Sequence, residues 1–244
     1  MTNTNTSSER YFLPWDYSPN PVATTRDSER EDVYWNHNRW RNALYYQYPV
    51  YKYCADLIKK TGANRIIDVG CGVGRKLERL HRRFPELEIV GIDQEDPIQT
   101  CRKHYSFGRW IVDDLENPGP EVAGLRADLV VCSDVIEHML DPDVLLDYLR
   151  ARCKPGGLMV ISTPDRERLH GPGKLVAGQR DHVREWSAKE LAAYMDARKF
   201  STIEHFHVRP TGIGLNTLWL QEWFKTVVFG NGSYRYNQVI VLKP

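Results

Sequence analysis

A chain of 244 residues, 41% hydrophobic and 27% charged, has the make-up of a globular protein long enough to bury one full core. Its 33 Lys and Arg almost balance 32 Asp and Glu, for a net charge of +1, which excludes nucleic-acid binding driven by bulk charge. Five cysteines without a C-x-x-C pair exclude a disulfide framework and a structural zinc site; with no signal-like stretch in residues 1–10 and no apolar run near the ~18 residues of a membrane span, the expectation is a cytoplasmic protein with no membrane partner.

Residues 1–10, rich in Thr, Asn and Ser, read as a disordered tail. Residues 11–48 mix charges with aromatic side chains, among them Tyr11, Trp15, Tyr17, Tyr34, Trp35, Trp40 and Tyr46, and form a cap segment without a clear period. A helix begins near Pro49, carries Val50, Cys54, Leu57 and Ile58 on one face, and ends at Gly62. Strands then alternate with helices: strand 65–69, helix 75–84, strand 88–92, helix 97–105, strand 110–112, strand 129–132, and a helix over 142–151 capped by Asp141. The Pro155-Gly156-Gly157 turn leads into strand 158–162. Residues 165–186 read as a long polar loop, and Ser187 with Glu190 forms a capping box that opens the next helix. Strands at 202–208 and 238–242 flank an insert, 209–237, whose helical middle holds Leu218, Trp219, Trp223 and Phe224. This alternation predicts a doubly wound α/β domain over residues 49–244, with a parallel sheet between helices.

The run Ile66-Ile67-Asp68-Val69-Gly70-Cys71-Gly72-Val73-Gly74 takes a strand through a glycine turn into a helix. Glycines let the backbone approach a ligand, and the helix N-terminus behind them offers free N–H groups. A dinucleotide fingerprint would place its third glycine where Arg75 stands. Asp93 ends the second strand 19 residues beyond Gly74, where a carboxylate can accept both hydroxyls of a ribose. The pair indicates an adenosine ligand without choosing between the two kinds.

The order of four motifs resembles the class I S-adenosylmethionine-dependent methyltransferases, within the broad group of ubiquinone-biosynthesis-like and small-molecule or glycan-associated enzymes. They are Asp68 to Gly74, Gly91-Ile92-Asp93, Val112-Asp113-Asp114-Leu115, and Asp128 to His138; the Lys154-Pro155-Gly156-Gly157 turn agrees. The resemblance covers about residues 45–208. It implies a Rossmann-like seven-stranded sheet of order 3-2-1-4-5-7-6 with the last strand antiparallel. It implies S-adenosyl-L-methionine as cofactor: Gly70, Gly72 and Gly74 touch the methionine part, Asp93 holds the ribose, Asp114 accepts from the adenine amino group beside Leu115, and Ser133 lies near the methionine amino group. Asp68, Cys71 and Gln94 flank these positions, and Asp113 stands where the family often has glycine. In the ubiquinone-biosynthesis relatives a cluster like Asp134, Glu137 and His138 accompanies magnesium; a capping and hydrogen-bonding role is preferred here, with no metal.

Methyl transfer from a sulfonium is an in-line displacement, and a hydroxyl acceptor gains from a nearby base. His182, in the loop before the capped helix, is the first choice for that base, with His138 the second. Arg180 and Arg184, in a loop rich in cations, suit an anionic small-molecule acceptor. The expectation is O-methylation of a hydroxyl or acidic oxygen. N- or C-methylation of a small molecule or sugar, a nicotinamide dehydrogenase, and a non-catalytic partner subunit are the rivals. The aromatic cap and the insert suit a lid, core packing or a homodimer contact.

Overall fold

The computed structural model describes residues 11–20, 43–212, 217–228 and 233–244. The readings of residues 1–10 as a tail and of Tyr34, Trp35 and Trp40 as part of the cap lie outside the described residues. The elements run α1 (Tyr48–Thr61), β1 (Arg65–Val69), α2 (Arg75–Arg83), β2 (Glu88–Asp93), α3 (Glu95–His104), β3 (Arg109–Val112), β4 (Ala127–Ser133) and α4 (Pro142–Arg152). They continue with β5 (Cys153–Pro164), α5 (Arg166–His170), α6 (Ala188–Ala197), β6 (Ser201–Val208), α7 (Leu218–Val228) and β7 (Asn237–Lys243).

The seven strands form one sheet in the order β3-β2-β1-β4-β5-β7-β6. Strands β1 to β5 pair in parallel, and β7 runs antiparallel to both β5 and β6, as the resemblance implies. Alternate side chains of each strand enter opposite faces. Ile66, Ile89, Leu129, Val131 and Val160 pack against α1, α2 and α3. Ile67, Val90, Ile92, Val130 and Ile161 pack against α4 and α6. Each such fully buried side chain contributes about 1.5–3 kcal/mol, so the central strands are the stable part of the molecule.

Two expectations change in detail. The Pro155–Gly157 turn lies inside β5: between the Ala127↔Cys153 and Leu129↔Leu158 pairs the strand carries extra residues, and Gly156 at φ +80° permits the bulge. The segment 165–186 is not wholly an exposed polar loop. It opens with α5, whose Asp165 cap accepts from Glu167 and Arg168, and it buries Val183 and Trp186. Trp186 stacks on Tyr194 with ring centroids 5.9 Å apart and donates through its indole N–H to the Tyr11 carbonyl. The first described residues of the cap thus serve as packing under this segment, with Asn20 N–H bonded to the Val183 carbonyl. No helix among the described residues is long and apolar enough to cross a membrane.

Candidate active site

Parallel strands in register bring their C-terminal ends to one edge. Val69 pairs with Ile92 and Cys132, Asp93 with Val112, and Ser133 with Ser162. Gly70, Asp93, Asp113 and Ser133 therefore line one side of the sheet, where open α/β folds place ligands.

The glycine turn is held open by its own backbone. Gly70, Gly72 and Gly74 have φ of +79°, +56° and +70°, a region L side chains avoid. A Cβ on Gly70 would come within 2.4 Å of Val135 Cγ2. Gly74 caps α2, so the first turn of that helix faces the site. The Asp93 carboxylate accepts from Gly72 N–H at 2.7 Å and Gln94 N–H at 2.8 Å, tying the second strand to the turn. Burial raises its pKa, and those two N–H groups and Lys76 oppose the rise. Cys71 is buried beneath the turn, with Sγ 3.5 Å from the Gly72 carbonyl. Asp68 is fully buried and accepts from the Tyr51 hydroxyl at 2.7 Å; burial pushes its pKa to about 7 against that bond and Lys76.

The two aspartates after β3 differ. Asp113 accepts from the Tyr148 hydroxyl at 2.5 Å and from Gly119 N–H at 2.7 Å, so it fixes the loop. Asp114 is exposed, its Oδ1 accepting from the neighbouring Glu116 N–H at 3.0 Å, and Leu115 is half-buried against the core.

Past β4 a polar network begins. Ser133 Oγ lies 2.7 Å from Ser162 Oγ, which donates to Asp134 Oδ1 at 2.6 Å. Asp134, at φ +55°, also accepts from Gln47 at 3.0 Å and Asn237 at 3.2 Å. Next to it Glu137 is fully buried. Thr163 donates to its Oε2 at 3.0 Å, while Oε1 has no partner among the described residues; burial, then the Asp134 charge, push its pKa to about 8.

The Glu137 carbonyl receives Val183 N–H at 2.8 Å, which docks the 182–186 run onto the end of β4. His138 and His182 consequently meet edge to face, with ring centroids 4.8 Å apart. His138 Nδ1 bonds the Asp181 carbonyl at 2.8 Å, and burial lowers its pKa. His182 Nδ1 lies 2.7 Å from Glu185 Oε1, and Glu185 also binds His170 Nε2 at 2.9 Å. Burial opposes charge on His182, but the Glu185 bond and the Glu137 charge outweigh it and hold the imidazole at about 8. Glu185 is fully buried; burial would raise its pKa, yet the two histidine bonds draw it down to about 2.

One candidate stands differently from expectation. Arg184 does not reach toward an acceptor: its guanidinium is buried, donates to the Met139 and Leu140 carbonyls at 3.0 Å each, and lies over the Tyr11 ring. Arg180 is exposed. The Asp134 carboxylate is engaged in hydrogen bonds with Gln47, Ser162 and Asn237, the kind of role preferred for it; among the described residues, the ligand atoms that converge within 4.8 Å belong to Glu137, His138 and His182. Two nitrogens among three donors fit magnesium poorly. Gln47, Lys76, Asn237, His170 and Glu185 are the residues of the site that sequence reasoning did not select.

A family model described as a methyltransferase domain matches residues 45–205. The trans-aconitate 2-methyltransferase of Variovorax paradoxus is 29% identical over 149 residues, 57% of this chain and 56% of that protein. The ubiquinone biosynthesis O-methyltransferase of Bradyrhizobium diazoefficiens is 33% identical over 110 residues, 43% of this chain and 42% of that protein. The chain spans about half the length of these curated relatives. Among solved structures, the plantazolicin methyltransferase BpumL in complex with SAH matches with a TM-score of 0.62 at 14% identity, over 91% of this chain and 93% of that one, a likeness of fold.

Proposed function

Since the chain belongs to the class I S-adenosylmethionine-dependent methyltransferases, we propose that it transfers a methyl group to an oxygen of a small molecule, with His182 as general base. Three glycines at positive φ, a Cβ-excluding contact at Gly70 and the acid at 93 fit the adenosyl donor. The donor, when bound, supplies an electrophilic methyl on a sulfonium. Gly70, Gly72 and Gly74 then hold its amino-acid end, Asp93 its ribose and Asp114 its adenine, with Gln94, Leu115 and Ser133 alongside. This leaves the protein to position the acceptor and move one proton.

The observation that carries the reading is the His182–Glu185 pair. The carboxylate fixes the Nδ1–H tautomer, so Nε2 is the acceptor atom, and Glu185 stabilises the imidazolium that forms when a hydroxyl gives up its proton. The hydrogen-bonded network of Asp134, Ser162 and Asn237 lies beside Ser133. One relative is named an O-methyltransferase and another acts on trans-aconitate, which supports oxygen as the target. Arg180, exposed in the same loop as His182, is a cation that can steer an anionic acceptor.

Turnover of labelled S-adenosylmethionine with a panel of hydroxylated and carboxylated small molecules tests the reading; label found only on nitrogen or carbon would overturn it. One observation favours a second reading. His138 and His182 are both anchored through Nδ1 and converge with the unpartnered oxygen of Glu137, a donor set suited to a transition metal. Under the base reading a chelator leaves turnover within about twofold of its starting rate; loss on chelation, with a metal recovered from the pure protein, favours the second.

A further inference from the structure

Lys76 carries a buried charge that the proposed chemistry leaves unused. It is the second residue of α2, shares the inward face with Leu77 and Leu80, and is only 8% exposed. Its ammonium has a single hydrogen-bond partner among the described residues, the neutral Gln47 Oε1 at 2.9 Å, and no ion pair. The Tyr51 ring lies 5.1 Å from it. A buried ammonium with one neutral acceptor is costly, and the cost falls when an anion joins it.

Its surroundings point to what that anion is. Lys76 stands two residues after Gly74, so whatever the turn holds lies at the first turn of α2, where the helix dipole also favours negative charge. Gln47 reaches the ammonium from a left-handed backbone at φ +54° and bridges to Asp134 through its Nε2 at 3.0 Å. Its amide oxygen occupies the position at the ammonium that a carboxylate oxygen could take. Asp68 acts on the same ammonium, and its Oδ1, without a partner among the described residues, is an acceptor for an amino group. A carboxylate beside an amino group is the end of an α-amino acid.

We infer that Lys76 is the carboxylate anchor of the donor site, taking the α-carboxylate of the amino-acid end of S-adenosylmethionine in exchange for the Gln47 amide. The inference rests on the family reading of the donor. It makes Lys76 a binding residue with a stated ligand atom, whereas a lysine that merely balances Asp68, Asp93 and Asp134 would be indifferent to the ligand's carboxylate.

Calorimetry separates the two with S-adenosylhomocysteine and 5′-(3-aminopropyl)thioadenosine, the same thioether with its amine kept and its carboxylate removed. Lys76→Met should weaken the first roughly 10–100-fold, as loss of a hydrogen bond to a charged group does, and leave the second within about twofold. Lys76→Arg should recover most of the lost affinity. Equal weakening of both ligands, or undiminished binding of S-adenosylhomocysteine, overturns the assignment of Lys76. Wild-type protein that binds neither ligand overturns the donor itself, and the assignment with it. Binding of the carboxylate-free ligand doubles as the check that each variant is folded.

Discussion

His182 is drawn upward by a neighbour that is itself drawn down: the Glu185 carboxylate, at about 2, stays charged and holds the imidazole at about 8. Below that value the base carries its proton, so kcat/KM should climb with pH and level off above about 8. Glu185→Gln removes the charge that raises His182, so the climb should move to lower pH while kcat falls. A pH–rate profile that stays in place would reject the pairing. His182→Ala should lower kcat about 10²–10⁴-fold with donor affinity unchanged, since only proton transfer is lost. The nomination of His182 was legible from its place in the loop, and Glu185 stands in the same short run. Its other supports were not: His170 is 15 residues away and Tyr17, which accepts Glu185 N–H, is 168 away, distances at which no spacing rule applies. Lys76 left a faint signal, four residues before Leu80 on the apolar face, but a lysine there reads as solvated until its burial is seen.

The segment from α5 to α6 behaves as an element although it holds little regular structure. Arg166 forks onto Glu190 at 2.7 Å through both nitrogens, and Arg184 ties the segment to the carbonyls after β4. Arg184→Ala removes the donor to the carbonyls of buried Met139 and of Leu140 and should lower stability by about 1–3 kcal/mol, read as a shift in the denaturant midpoint. Arg180→Ala should leave the midpoint alone and raise the KM of an anionic acceptor. Equal midpoints for both variants would contradict the structural role of Arg184. In the sequence the two arginines look alike, because charge and loop position are the same; only tertiary contact with Tyr11, Met139 and Leu140 separates them. The glycine turn was legible for the opposite reason: its conformation is local, and positive φ leaves glycine little competition.

Across the molecule, several titrations press in one direction. Asp68 and Glu137 rise from 3.8 and 4.5 to about 7 and about 8, so the fold keeps protons that the unfolded chain has released, and stability declines as pH rises through that window. The stabilisation of His182 is complete below 6.5 and is lost as pH passes about 8. Glu185 acts oppositely: its contribution is present above 4.5 and is lost as pH falls toward about 2. For these four groups the thermal midpoint should therefore peak at about pH 4 and fall steadily toward pH 9; a midpoint that climbs from about pH 5 to pH 9 would refute this balance. Sheet order was legible through the family resemblance, since strand periodicity alone ranks no neighbours. The placement of β7 between β5 and β6 has a consequence for biogenesis. As the ribosome delivers the polypeptide, β6 emerges with no partner and must wait for residues 237–243, and Asn237 brings its amide to Asp134 only then. A nascent or prematurely terminated product lacking this stretch would have its first five strands in order yet an unfinished catalytic wall and a homeless sixth strand.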